Sequence, residues 1–266
     1  MQIETWQWIV AGLGAFTIGV SKTGIAGLGI LAIATFALAF PGGNSLGIVL
    51  VVLISADVIA VSTGGKHADW KHLRGLFPWA AGGVIIGALA LGRIHDAAMQ
   101  HLIGVILLVL VALQFLRSRN AKSAIVAKDA VAAADAPASA DAPAIADISS
   151  SPFFAPVMGL LAGFTTMVAN AAGPLMILYL LAMRLPKARF IGTAAWFFLV
   201  MNLFKVPFSV YLKIINASSL PISLALAPCA MVGAFAGRLV LHRIDQKLFE
   251  TLALALTFCA AVKLLF

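Results

Sequence analysis

Charge is scarce in this sequence. Only 11% of its 266 residues are charged, against about a quarter in soluble domains. So few charges cannot coat a globular surface, which argues against a soluble domain. Cysteine is scarcer still. Cys229 and Cys259 both lie in apolar segments, so no disulfide framework and no cysteine metal centre is expected. The histidines His67, His72, His95, His101 and His242 sit at loops or span ends without ligand spacing. No nucleotide loop, zinc motif or nucleophile–base pattern occurs. The expectation is no metal, no cofactor and no energy-coupling domain. The first residues, Met-Gln-Ile-Glu-Thr-Trp, offer no basic start and no cleavage pattern, so no cleavable signal peptide is expected.

Apolar residues are what the chain has in excess: 62% are hydrophobic and the mean hydropathy is +1.05. Apolar runs near 20 residues cross a bilayer as helices. The expected fold class is therefore all-α, a polytopic membrane protein embedded in lipid. A net charge of +8 in a soluble chain would suggest nucleic acid. Here it points to basic loops on the cytoplasmic side, and no nucleic-acid partner is expected.

One stretch breaks the pattern. Residues 118–151 are rich in Ala, Asp, Pro and Ser, with Asp129, Asp135, Asp141 and Asp147 evenly spaced. Such a segment cannot bury a core and reads as a linker. It divides a first membrane repeat, 1–117, from a second, 152–266. Pro41 precedes Asp57 by 16 residues, and Pro186 precedes Asn202 by 16. At an offset of 150, Pro78 matches Pro228, Gly83 matches Gly233, Gly87 matches Gly237, and Arg93-Ile94 matches Arg243-Ile244. Phe16-Thr17 matches Phe164-Thr165. Internal repeats of this kind are typical of secondary transporters.

Residues 6–40 form an apolar run of 35. As one straight helix it would be about 50 Å long, too long for a hydrocarbon core of roughly 30 Å. It is interrupted by Ser21-Lys22-Thr23-Gly24, and the second half has Asn170-Ala171-Ala172-Gly173-Pro174 at the matching place. Each half is therefore expected to open with a broken helical hairpin. Three spans should follow in each half: 44–63, 73–92 and 98–117, then 188–212, 218–241 and 246–266. If each opening stretch crosses once, the repeats are parallel and Lys/Arg divide 9 against 7, with Lys22 and Lys205 set aside. If each goes in and returns, the repeats are inverted and the division is 13 against 3. The bias favours inverted repeats, with a cytoplasmic linker and both termini outside. It does not separate re-entrant hairpins from short full crossings.

A cation at bilayer depth costs roughly 3 kcal/mol or more. Lys22 and Lys205 both lie inside apolar stretches, which suggests an anion pathway. The bland alternative for Lys22 is a snorkelling side chain at a structural break, but it lies far from an interface on a straight helix. Asp57 lies amid apolar neighbours and should be protonated or ion-paired. It is either a proton-coupling group or a purely structural partner of a lysine. Asn202, its repeat mate, shares a helix face with Lys205. The small-residue pairs Gly83/Gly87 and Gly233/Gly237 read as close-packing faces.

The run Gly19-Val-Ser21-Lys22-Thr23-Gly24-Ile-Ala-Gly27 resembles the opening motif of the TauE/SafE sulfite exporter family. So do His67-Ala-Asp69-Trp70, Leu76-Phe77-Pro78 and Gly83-x-x-x-Gly87. The resemblance covers nearly the whole chain, with the second half as a degenerate copy that lacks a lysine at its break. It implies a secondary transporter, not an enzyme, that exports a small sulfur oxyanion such as sulfite, sulfoacetate or a related organosulfonate across a bacterial inner membrane. The expected substrate site is Ser21, Lys22, Thr23, Gly24, Asn170, Ala171, Gly173, Asn202 and Lys205, with Asp57 as proton-coupling candidate. The small-residue tips suit a small dense anion and disfavour large amphipathic ones. A structural subunit without transport of its own is the rival reading, and a membrane enzyme is a weaker one. A homodimer stays open.

Overall fold

The computed structural model describes residues 3–23, 28–40, 43–94, 101–112, 153–183, 185–240, 255, 257–259 and 261–263. The expected linker, and Gly24 at the first break, lie outside the described residues. Among the described residues all regular structure is helical. The first half holds α1 (Thr5–Thr23), α2 (Leu28–Ala39), α3 (Gly43–Gly64), α4 (Trp70–Leu91) and α5 (His101–Ala112). The second holds α6 (Phe154–Ala169), α7 (Gly173–Ala182), α8 (Lys187–Tyr211) and α9 (Ser219–Val240). Described residues between 255 and 263 are also helical.

Both opening stretches are broken where the sequence places the polar tips. The arms α1 and α2 run antiparallel. Gln7 Nε2 donates to the Ala39 carbonyl at 2.6 Å, Gly14 lies against Thr35 and Phe36, and Gly29 lies beside Ser21. With 12 residues, α2 is about 18 Å long, too short to cross alone. The second hairpin repeats the design: Phe154 near the start of α6 stacks on Tyr179 near the end of α7, ring centroids 5.8 Å apart. Asn170 makes the turn in left-handed conformation, φ 54°, which asparagine tolerates. Its N–H donates to the Thr166 carbonyl at 3.0 Å, and the Ala171 N–H to that of Thr165 at 3.2 Å. Pro174 then sits in the first turn of α7, where a missing N–H costs nothing.

Among the described residues, four helices are long and apolar enough to cross a membrane: α3 with its 3₁₀ extension to His67, α4, α8 and α9. This is a polytopic α-helical membrane protein. The observed bounds match the expected spans within three residues. Helix α4 begins at Trp70 and not near 73, because Asp69 caps it: its Oδ1 accepts from the N–H of Lys71 and His72 at 3.1 and 3.4 Å. The third spans expected at 98–117 and 246–266 are only partly described.

Glycine decides which helices touch. Helix α1 packs along α9, and α4 along α6. A Cβ on Gly19 would collide with the carbonyl of Ala230, and one on Gly233 with that of Phe16. The mirror contacts exist in the other pair: Gly163 against the carbonyl of Ala80, and Gly83 against that of Leu160. The close-packing faces thus hold one half to the other. This register equates Gly19 with Gly163, one helical turn away from the match of Phe16 with Phe164 read in the sequence. Helices α3 and α8 run antiparallel: Gly47 meets Ile214, Asp57 meets Asn202, and Gly64 meets Ile191.

At the α3–α4 corner Asp69 also ties down α8. Arg189 Nη2 donates to Asp69 Oδ2 at 2.6 Å, His72 Nδ1 lies 3.0 Å from the same oxygen, and the Asp69 N–H donates to Thr193 Oγ1 at 2.8 Å. Burial pushes this carboxyl upward, but the hydrogen bonds and charge of His72, with the charge of Arg189, outweigh it. The net direction is below the usual carboxylate value.

Candidate functional site

The breaks in α1/α2 and α6/α7 face a common cavity of about 330 Å³. Ser21, Lys22 and Thr23 enter from the last turn of α1, and Gly29 and Ile30 from α2. Thr166, Asn170, Ala171, Gly173 and Pro174 enter from the second break, and Asn202 from α8. The rest of the lining is largely apolar, with Ile177, Phe190, Ile191, Ala194, Ala195 and Phe198. Seven of the expected site residues therefore line one space: Ser21, Lys22, Thr23, Asn170, Ala171, Gly173 and Asn202. Lys205, also expected in the site, is 1% exposed and is not among the residues that line the cavity.

Lys22 anchors the polar side. Its Nζ lies 2.7 Å from Asp57 Oδ1, the lysine side chain 12% exposed and the carboxylate fully buried. It also lies 3.9 Å from the centroid of the Phe198 ring, a contact that favours a cation. Position helps too, since Lys22 is in the last turn of α1, the negative end of the helix dipole. Asn202 Nδ2 donates to Asp57 Oδ2 at 2.6 Å. Asp57 thus has a partner on each oxygen and stands behind the cavity wall.

The second break is organised around Lys205. Its Nζ donates to the Thr166 carbonyl at 2.9 Å, to Thr166 Oγ1 at 3.0 Å and to Asn170 Oδ1 at 2.7 Å. Asn170 Nδ2 donates to the Leu46 carbonyl at 3.0 Å, so this side-chain amide is engaged at both ends. The Thr23 hydroxyl is engaged as well, 2.6 Å from the Ala234 carbonyl. Helix α7 starts at the cavity wall without a side-chain cap, so N–H groups and the positive end of its dipole face that space.

Thr166 and Phe198 belong to this site and were not singled out in the sequence. Each had a signal: Thr166 lies one turn before the Asn170 break, and Phe198 one turn before Asn202.

Fold and site together define a multi-pass membrane protein with a cation-bearing cavity between two broken helical hairpins. The chain matches the family described as Sulfite exporter TauE/SafE over residues 11–264. It belongs to that family, whose members are transporters. No curated protein and no solved structure matches it.

Proposed function

We propose that the protein exports a small sulfur-containing oxyanion, sulfite in its singly protonated form or a short organosulfonate such as methanesulfonate, through the cavity between the two breaks. The observation that carries this reading is Lys22, a cation in the wall of a cavity whose other polar groups come from both hairpins. The anion's oxygens take hydrogen bonds from Lys22, Ser21, Asn202 and the N–H groups of Ala172 and Gly173 at the start of α7. Thr23 and Asn170, whose side chains are already engaged, shape the wall. Asp57 is the counter-ion with which an arriving anion competes for Lys22. Lys205 fixes Asn170 from behind.

The apolar wall favours an organosulfonate over bare sulfite. A cavity of about 330 Å³ exceeds a pyramidal trioxide, and Phe198 with Ile191 can cover a short carbon body. The expectation that large amphipathic anions are disfavoured stands beside this, since only a short body fits.

The antiparallel packing of α3 on α8 supports the inverted arrangement of the two halves. Together with the 13-to-3 charge division, it supports a cytoplasmic linker and external termini, and the resemblance to the family implies a bacterial inner membrane. With a negative interior, an anion leaving the cell gains about 2.3 kcal/mol per charge per 100 mV, so a coupled proton on Asp57 is not required. Flux of sulfite and methanesulfonate into proteoliposomes containing only the purified chain, with the dianion sulfoacetate measured beside them, tests the reading. Saturable flux that Lys22→Ala abolishes is expected. Equal flux through that variant, or none through the unsubstituted protein, would refute it.

A further inference from the structure

The proposed site leaves one buried charge without a carboxylate. Among the described residues, the charged groups packed around the two breaks are Lys22 on α1, Asp57 on α3 and Lys205 on α8. Lys22 is matched by Asp57 at 2.7 Å, so this pair adds no net charge to the cavity. Among the described residues, Lys205 is bound only by neutral oxygens. Three donors on an ammonium meet three acceptors, and one of them, the Thr166 carbonyl, lies at the C-terminal end of α6, where a cation is favoured. The Asn170 amide is oriented by its bond to the Leu46 carbonyl, which turns Oδ1 toward the ammonium. Thr166 and Asn170 both line the cavity, so the charge stands one hydrogen bond behind the wall.

We infer that Lys205 supplies the net positive charge that the transported anion neutralises, acting from behind Thr166 and Asn170, while Lys22, already balanced by Asp57, binds the anion through its hydrogen bonds. The inference rests on the reading of the cavity as the anion site and adds a charge rule to it. The empty site carries one surplus positive charge. A monoanion brings it to zero and a dianion leaves it negative, so monoanions are selected at this depth. Lys205 is a positioning residue here: its effect reaches the anion through the field and through Asn170.

The test measures binding of methanesulfonate and of sulfate to the purified full chain by isothermal titration calorimetry. Lys205→Met is expected to weaken methanesulfonate binding by about tenfold or more, because an uncompensated charge within a few ångströms is lost in a medium of low dielectric. Adding Asp57→Asn to that variant frees the charge of Lys22 and should restore binding to within a few-fold. Asp57→Asn alone, with two surplus charges, should shift preference toward sulfate. Unchanged binding by Lys205→Met, or a double variant as weak as the single one, would overturn the inference and leave Lys205 a strut for Asn170. An unaltered sulfate preference in Asp57→Asn would overturn it independently, even if Lys205→Met does not fold. Absence of methanesulfonate binding by the unsubstituted protein would instead overturn the cavity reading itself, and this inference with it.

Discussion

Asn202 donates to Asp57 at 2.6 Å, and each of these residues stands 16 positions after a proline in its own half of the sequence. The two residues that the sequence pairs as repeat mates are thus in contact, on helices that run antiparallel. One mate carries charge and the other does not, so a single cation, Lys22, can be balanced there.

Lys22→Ala should abolish anion flux in proteoliposomes, and Lys22→Arg should retain less than the original. A planar guanidinium cannot replace a compact ammonium held between Asp57 and the Phe198 ring. The alanine variant also leaves Asp57 buried and unpaired, at a cost of about 3–5 kcal/mol. Lys22→Ala/Asp57→Asn should therefore recover thermal stability without recovering flux.

Gly19→Val and Gly163→Val should each destabilise the protein by about 1–3 kcal/mol or prevent folding. The added atoms meet the backbone of Ala230 and of Ala80. Gly12→Ala, where nothing lies within 4 Å, should leave thermal unfolding in detergent unchanged. Equal melting temperatures for all three would contradict the interlocked packing of α1 on α9 and α4 on α6.

Asp69→Ala should cost about 1–3 kcal/mol by removing a helix cap and a buried acceptor. The folded carboxyl lies below its usual value. Its stabilisation is then fully present above the unfolded value of about 3.9 and is lost as pH falls through the lower folded value. Melting curves of the variant and the unsubstituted protein should run parallel near neutrality and converge only in acid.

In a background without Cys229 and Cys259, a cysteine at Ala138 should resist an impermeant thiol reagent in intact cells, and one at Gln2 should react. The reverse pattern would rule out the proposed orientation. Deleting 121–148 should leave flux nearly intact, because loop length costs little free energy.

A cysteine at Ala171 should be shielded from thiol reagents by methanesulfonate and only weakly by chloride, since the apolar wall around Phe198 covers a carbon body. Modification at one rate under every anion that the protein transports would remove the second break from the site.

The sequence by itself determined the membrane class, the bounds of α3, α8 and α9 within a residue or two, and the two breaks. These depend on local facts: run length against bilayer thickness, the polar Ser21-Lys22-Thr23 interruption, and Gly173-Pro174, which cannot continue a helix begun before it. It also marked Lys22, Asp57, Asn202 and Lys205 as misplaced in apolar surroundings. Only the tertiary structure decided how these four combine. Lys22 reaches Asp57 and Lys205 does not, because in the α3–α8 register it is Asn202, one turn before Lys205, that faces Asp57, and Lys205 turns to Thr166 and Asn170. No local pattern encodes that register, and a pairing one turn away reads nearly as well in the sequence. Position in the packed bundle leaves Lys22 at the cavity and Lys205 behind its wall, although composition and hydropathy treat the two lysines alike.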